Sequence, residues 1–138
     1  MVAPRREDYT NEALEAIERA SAWASDMRNA QLDAEHLALG MLSIKEGMAS
    51  KIFDFIGVDV GEMKKDLEFS LKKLPTLGQA QSSTRTYYIE PRLKKVLDEA
   101  KEEKIRLNDE FVAIEHLLKG LSILGDGEID RLFKLNNI

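Results

Sequence analysis

The chain contains no cysteine, only two histidines and three prolines, and one tryptophan. Without cysteine there are no disulfides and no cysteine-ligated zinc, which fits a reducing cytosol. No apolar run approaches the ~18 residues of a membrane span. The first nine residues lack the apolar stretch of a secretory signal, so a cytoplasmic location is expected. There is no basic excess: the formal net charge is -5, the wrong sign for a nucleic-acid backbone binder. No glycine-rich phosphate loop is present either, so this segment cannot hydrolyse nucleotide and needs no cofactor of its own. What remains is 138 residues, 43% apolar and 33% charged, the make-up of one soluble globular domain.

The main positive signal is internal repetition. Glu35-His36-Leu37-x-x-Gly40 returns as Glu115-His116-Leu117-x-x-Gly120, and the same offset of 80 pairs Ala20 with Ala100, Gly47 with Gly127 and Phe53 with Phe133. No gap is needed. A repeat of this kind marks a duplicated supersecondary unit whose copies share one core.

Hydrophobic spacing at three and four residues places helices along each copy. Thr10 is a candidate N-cap for a helix over roughly residues 11–28 that buries Leu14, Ile17, Ala20, Ala24 and Met27. Trp23 lies off this stripe, either partly exposed or packed beside it. Asp33 caps a second helix that buries Leu37, Met41, Leu42 and Ile44. Gly40 within it costs ~1 kcal/mol relative to alanine, and its return at Gly120 suggests a close helix–helix approach. A third helix after Gly47 would bury Ile52, Phe53 and Ile56 and stop at Gly57. A fourth, over about 60–73, uses Met63, Leu67 and Leu71, with Phe69 at its edge, and ends before Pro75. Residues 75–88 read as a polar surface linker. The second copy then gives three helices. Leu93, Val96, Leu97, Ala100 and Ile105 or Leu107 face inward in its first. Ile114, Leu117, Leu118, Leu121 and Ile123 or Leu124 do so in its second, and Ile129, Leu132, Phe133 and Leu135 in its third. A counterpart of residues 60–73 is absent before Ile138. With no strand signal, the expectation is an all-α fold: two pseudo-symmetric four-helix repeats (9–73 and 89–138), the last helix of the second missing, packed as one domain.

The Glu-His pairs invite a catalytic or metal reading, which the spacing does not support. Zinc proteases place two histidines four apart on one helix face, whereas Glu and His here are neighbours about 100° apart. A nucleophilic triad needs a serine or cysteine held near a histidine and an orienting acid, and Ser43 and Ser122 have no sequence context of that kind. No catalytic residue and no metal ligand is therefore assigned. The histidines are expected to be structural, packed and hydrogen-bonded in the first turn of a helix. The glutamates would interact favourably with the helix dipole. Thr10 and Glu35, at the starts of consecutive helices, could instead line one groove that accepts a peptide carrying a basic group.

Thr10, the Glu35-His36-Leu37 triplet 25 residues on, Gly40, and Glu46-Gly47 ahead of a helix ending at Gly57 together resemble the Clp N-terminal repeat. This is the duplicated helical domain that precedes the ATPase rings of Clp unfoldases and disaggregases. Tyr88-Ile89-Glu90-Pro91-Arg92-Leu93 and Asn108-Asp109-Glu110-Phe111-Val112 resemble the ClpB disaggregase branch, with ClpC and ClpA sharing the frame. The resemblance implies a non-catalytic recruiting domain that captures unfolded or aggregated polypeptide. The fragment itself would be monomeric, while ATP, Mg and a hexameric ring belong to the full-length protein. The implied substrate groove contains Thr10, Glu35, Leu97, Asp109 and Glu115. The ClpC pattern implies phosphoarginine beside Thr10 with Glu35, and beside position 90 with Glu115. Here Glu90 replaces the expected threonine and would repel a phosphate. The alternatives are a ClpC- or ClpA-type domain that docks an adaptor, a free-standing interaction domain, and a hydrolase using Glu and His.

Overall fold

The structure is a computed structural model that describes residues 5–74, 76 and 88–138. Among these residues are seven α-helices: α1 (Asn11–Asp26), α2 (Ala34–Leu42), α3 (Met48–Phe55), α4 (Val60–Lys72), α5 (Pro91–Arg106), α6 (Ile114–Ser122) and α7 (Gly127–Leu135). The all-α expectation holds. The linker expected over 75–88 falls mostly outside the described residues. No described helix is long and apolar enough to cross a membrane.

The offset of 80 recurs in backbone detail. Arg28 and Asn108, equivalent residues, both adopt left-handed φ (57° and 58°) just after α1 and α5. The next amide then bonds back in each copy, Asn29 N to Ala24 O and Asp109 N to Lys104 O, both at 2.9 Å. These bonds satisfy carbonyls that a helix end leaves open. The equivalents Phe53 and Phe133 meet edge to face, with centroids 6.0 Å apart, where the two halves touch.

Strand pairing is present although the sequence carries no signal for it. Two short strands, β1 (Gln31–Leu32) and β2 (Tyr88–Ile89), pair in parallel, Leu32 opposite Ile89. Their pseudo-symmetric counterpart is a bridge between Tyr9 and Val112. Each half thus lends the residues before its first helix to the other half. Thr10 N donates to Val112 O (2.9 Å), Val112 N to Asp8 O (2.8 Å), and Glu90 N to Leu32 O (3.0 Å). Strands of one or two residues are too short to show an alternating pattern.

The helix pairs α1–α2 and α5–α6 pack closely because glycine lets them. A Cβ at Gly40 would lie 2.4 Å from the carbonyl oxygen of Ala16, and one at Gly120 would lie 2.5 Å from that of Val96. The fully buried stripe of α1 is accordingly Ala13, Ala16, Ala20 and Ala24. The larger Leu14, Ile17 and Met27 are half-buried beside it. Trp23 is half-buried, and its Nε1 donates to Ser43 Oγ at 2.9 Å.

Several expected core residues sit at the surface. Ile105 and Leu107 are exposed, as are Ile56 and Leu135, the first and last at 70% and 67%; of Ile123 or Leu124, Ile123 is exposed and Leu124 packs half-buried against the core. Ile105, Leu107, Ile56 and Leu135 occupy final turns or caps, where the chain has already left its packing partner. Met63, Leu67 and Leu71 of α4 are buried as expected, whereas Phe69 is exposed and lies under Lys73 Nζ, 4.4 Å from the ring centroid.

Replacing Gly40 or Gly120 with alanine should cost about 2 kcal/mol or more, since backbone rather than a side chain must yield. Gly61→Ala should be neutral or stabilising by up to about 1 kcal/mol, because its nearest new contact is a side-chain oxygen at 3.4 Å. Urea unfolding of the three variants checks this ordering.

Candidate functional site

The two Glu-His pairs open α2 and α6, and both histidines are buried. His36 is the third residue of α2. Its Nδ1 accepts from the backbone N–H of Asp33 (2.9 Å), so its proton sits on Nε2, which donates to Asn29 Oδ1 (2.8 Å). The ring thus takes the reciprocal role that Glu or Gln usually fills at this helical position. His116 repeats the arrangement with Ala113 N (2.8 Å) and Asp109 Oδ2 (2.8 Å). Both nitrogens of both rings are committed within the fold, so neither histidine is placed to act as base or ligand. Burial pushes His36 down to about 4, against a weaker opposing effect of Glu35.

The glutamates, in contrast, have parted. Glu35 is 5% exposed, while Glu115 is exposed and free of ion pairs among the described residues. Arg92, in the first turn of α5, holds Glu35 with two parallel bonds, Nη1 to Oε1 at 2.8 Å and Nη2 to Oε2 at 2.9 Å. Ile129 N at the start of α7 also donates to Glu35 Oε2 (3.1 Å). Arg92 reaches Asp33 and Asp126 as well. Its hydrogen bond to Glu35 is the main reason its guanidinium is held above its ordinary range, with burial opposing. The Asp33 carboxyl is raised, chiefly by desolvation. At the position equivalent to Arg92 stands Glu12, whose Oε2 instead accepts from Met48 N at the start of α3 (2.8 Å).

The five residues of the expected groove differ in exposure and in the elements that carry them. Thr10 caps α1, its Oγ1 accepting from Ala13 N (3.1 Å), and its own amide is tied to Val112, three residues before Glu115. The crossed pairing sets the start of α1 beside the start of α6, and the start of α5 beside that of α2. Grouping Thr10 with Glu35, and position 90 with Glu115, is therefore corrected: the structure pairs across the repeats. Asp109 receives the His116 bond and keeps a 46% exposed side chain. Leu97 is half-buried on α5. Glu35 faces inward, so its carboxylate is not offered at the surface.

The sequence reading missed Arg92 and Asp126. No local pattern joins residues 57 positions apart. One available clue was the charge reversal between Glu12 and Arg92 at equivalent places in a repeat that conserves its acids at 35 and 115.

This helical frame extends to known proteins. The family described as Clp repeat (R) N-terminal domain matches residues 8–136. The chain belongs to that family. The chaperone protein ClpB 1 of Parasynechococcus marenigrum is 38% identical over 119 residues, covering 86% of this chain and 13% of its own. The negative regulator of genetic competence ClpC/MecB of Bacillus subtilis is 28% identical over 130 residues, 94% of this chain and 15% of its own. This Clp repeat domain thus spans a small fraction of the length of its curated relatives. In fold it is similar to the Hsp104 N-terminal domain from Candida albicans, with a TM-score of 0.79 at 22% identity, covering 96% of this chain and 83% of that one.

The depressed His36 fixes a pH dependence. Its folded value, about 4, lies below the ordinary 6.5, so the unfolded chain binds the extra proton between those values. Stability should therefore rise with pH from about 4 to about 6.5 and then level off. A shift of this size corresponds to on the order of 3 kcal/mol across the window. Urea unfolding from pH 4 to 7 should show that slope in the wild type and a shallower one in His36→Gln.

Proposed function

We propose that the chain is the substrate-recruiting N-terminal domain of a ClpB-type, ATP-dependent disaggregase, and that it captures unfolded or aggregated polypeptide. The observation that carries this reading is the open carboxylate of Glu115. It lies at the helix start that the crossed strands hold beside Thr10, whereas its counterpart Glu35 is buried and paired. Asp109 adds a second partly exposed acid, and the exposed Leu107 and Phe111 flank it in the chain. Leu97 contributes a half-buried apolar surface. An extended chain could lay apolar residues on this surface and basic ones against its acids.

Affinity would be modest. Capturing an unfolded segment costs the entropy of ordering it, and a recruiting domain must also release its cargo. The domain itself carries no catalytic step; ATP and Mg are needed only by the ATPase modules of the full-length protein, where hexamer formation also belongs. The similarity to ClpC/MecB keeps a second reading open, in which the same surface docks an adaptor protein. Phosphoarginine recognition is disfavoured at the first-repeat acid, because Glu35 is engaged by Arg92 and Glu90 stands at the start of α5.

A fluorescently labelled, permanently unfolded polypeptide should bind the isolated domain, and Thr10→Ala with Glu115→Ala should weaken that binding about tenfold by anisotropy. Losing the Thr10 cap should cost only about 1 kcal/mol of stability, so the variant remains folded by circular dichroism. Unchanged affinity in the folded double variant would overturn the assignment. Binding of a folded adaptor but not of unfolded chains would favour the second reading.

A further inference from the structure

The guanidinium of Arg92 is satisfied to an unusual degree. A guanidinium has five N–H donors in a fixed fork, and all five are used. Nε donates to Asp126 Oδ1 (2.9 Å), Nη1 to Glu35 Oε1 (2.8 Å) and Asp33 Oδ1 (2.9 Å), and Nη2 to Glu35 Oε2 (2.9 Å) and the backbone oxygen of Asp126 (2.9 Å). The principal acceptor, Glu35, is more than nine-tenths buried. Its Oε2 is also steadied by Ile129 N, so the carboxylate is held in place by the start of α7 as well as by the arginine.

The backbone makes room for this fork. Gly127 has φ +80, and a Cβ there would lie 2.2 Å from Arg92 Nη2 and 2.8 Å from Glu35 Oε2. Its equivalent Gly47 is differently surrounded, since a Cβ there would meet Ile44 at 3.0 Å. Nothing corresponding is built in the other half. Position 92 is matched by Glu12, the acid at 33 by Ala113, and the buried Glu35 by the exposed Glu115.

We propose that Asp33, Glu35, Asp126 and the start of α7 form a complete guanidinium receptor in which Arg92 is the resident ligand. Arg92 thereby closes the first half to arginine side chains from outside. The duplicated domain is one-sided by construction: one half spends its acid internally, and the other leaves its acid at the surface. The planar fork, not charge alone, defines what fits. A tetrahedral ammonium has three donors and cannot match acceptors laid out for five. The proposal concerns the first-repeat acids only and is independent of whether Glu115 captures polypeptide.

Arg92→Ala removes the ligand beyond Cβ and leaves a space the size of ethylguanidinium. The variant should melt several degrees below the wild type, and millimolar ethylguanidinium should restore most of that loss with a saturable dependence. Ethylammonium at the same concentration should restore none of it. The wild type and Arg92→Ala/Glu35→Gln should show no saturable rise. An equal rise in all three proteins, or no rise in a folded Arg92→Ala, would overturn the proposal. If Arg92→Ala does not fold, the native chain provides the test by nitrogen NMR. Separate, slowly exchanging Nη signals for Arg92 are expected, and they should collapse to an averaged signal in Gly127→Ala. An averaged Arg92 signal in the wild type would equally overturn it.

Discussion

A buried carboxylate must find a cation and enough donors, or burial pushes it toward neutrality. Glu35 meets that requirement with a residue from the other copy of the duplication. Arg92 comes from the first turn of α5, and Ile129 N from the start of α7, so one side chain of α2 ties together helices from both repeats. Single buried ion pairs are weak evidence of net stability. This one nevertheless fixes orientation, because its two parallel bonds are satisfied in only one arrangement of α2, α5 and α7.

Around that contact the backbone keeps its two-fold frame. The left-handed turns after α1 and α5, the histidines reaching back to helix starts, the glycines at the close crossings and the crossed strand pairs all occur twice. The charges do not follow. Glu12 stands where Arg92 stands, Asp109 where Asn29 stands, and Glu115 is exposed where Glu35 is buried. A duplicated fold has thus been given two different surfaces, and the surface left open is the one with unpaired acid. The chain shares this frame with the Clp repeat family, and ClpB and ClpC proteins are among its relatives.

Much of the frame was legible in the sequence because its causes are local. Gly40 and Gly120 announce a close crossing by recurring inside helices. Thr10 and Asp33 are polar caps ahead of apolar periods, and Pro91 sits at the first position of α5, where a missing amide costs nothing. The histidines could be assigned to structure because their spacing excludes a metal site. The rest depends on contacts without local signature. The Glu35–Arg92 pair spans 57 residues, and the crossed strands are too short to alternate. The inward face of α1 turned out to be its alanines, because α2 approaches too closely for larger groups. At helix ends, apolar residues such as Ile105 and Leu135 continue the period after the packing partner has ended.

Glu35→Ala and Glu115→Ala, unfolded side by side in urea, test the inequivalence of the halves most directly. Removing Glu35 leaves Arg92 without its principal partner and should cost on the order of 3 kcal/mol. Removing Glu115 should change stability by no more than about 0.5 kcal/mol, as for other surface substitutions. Equal costs at the two positions would contradict a fold whose duplicated acids have been put to different uses.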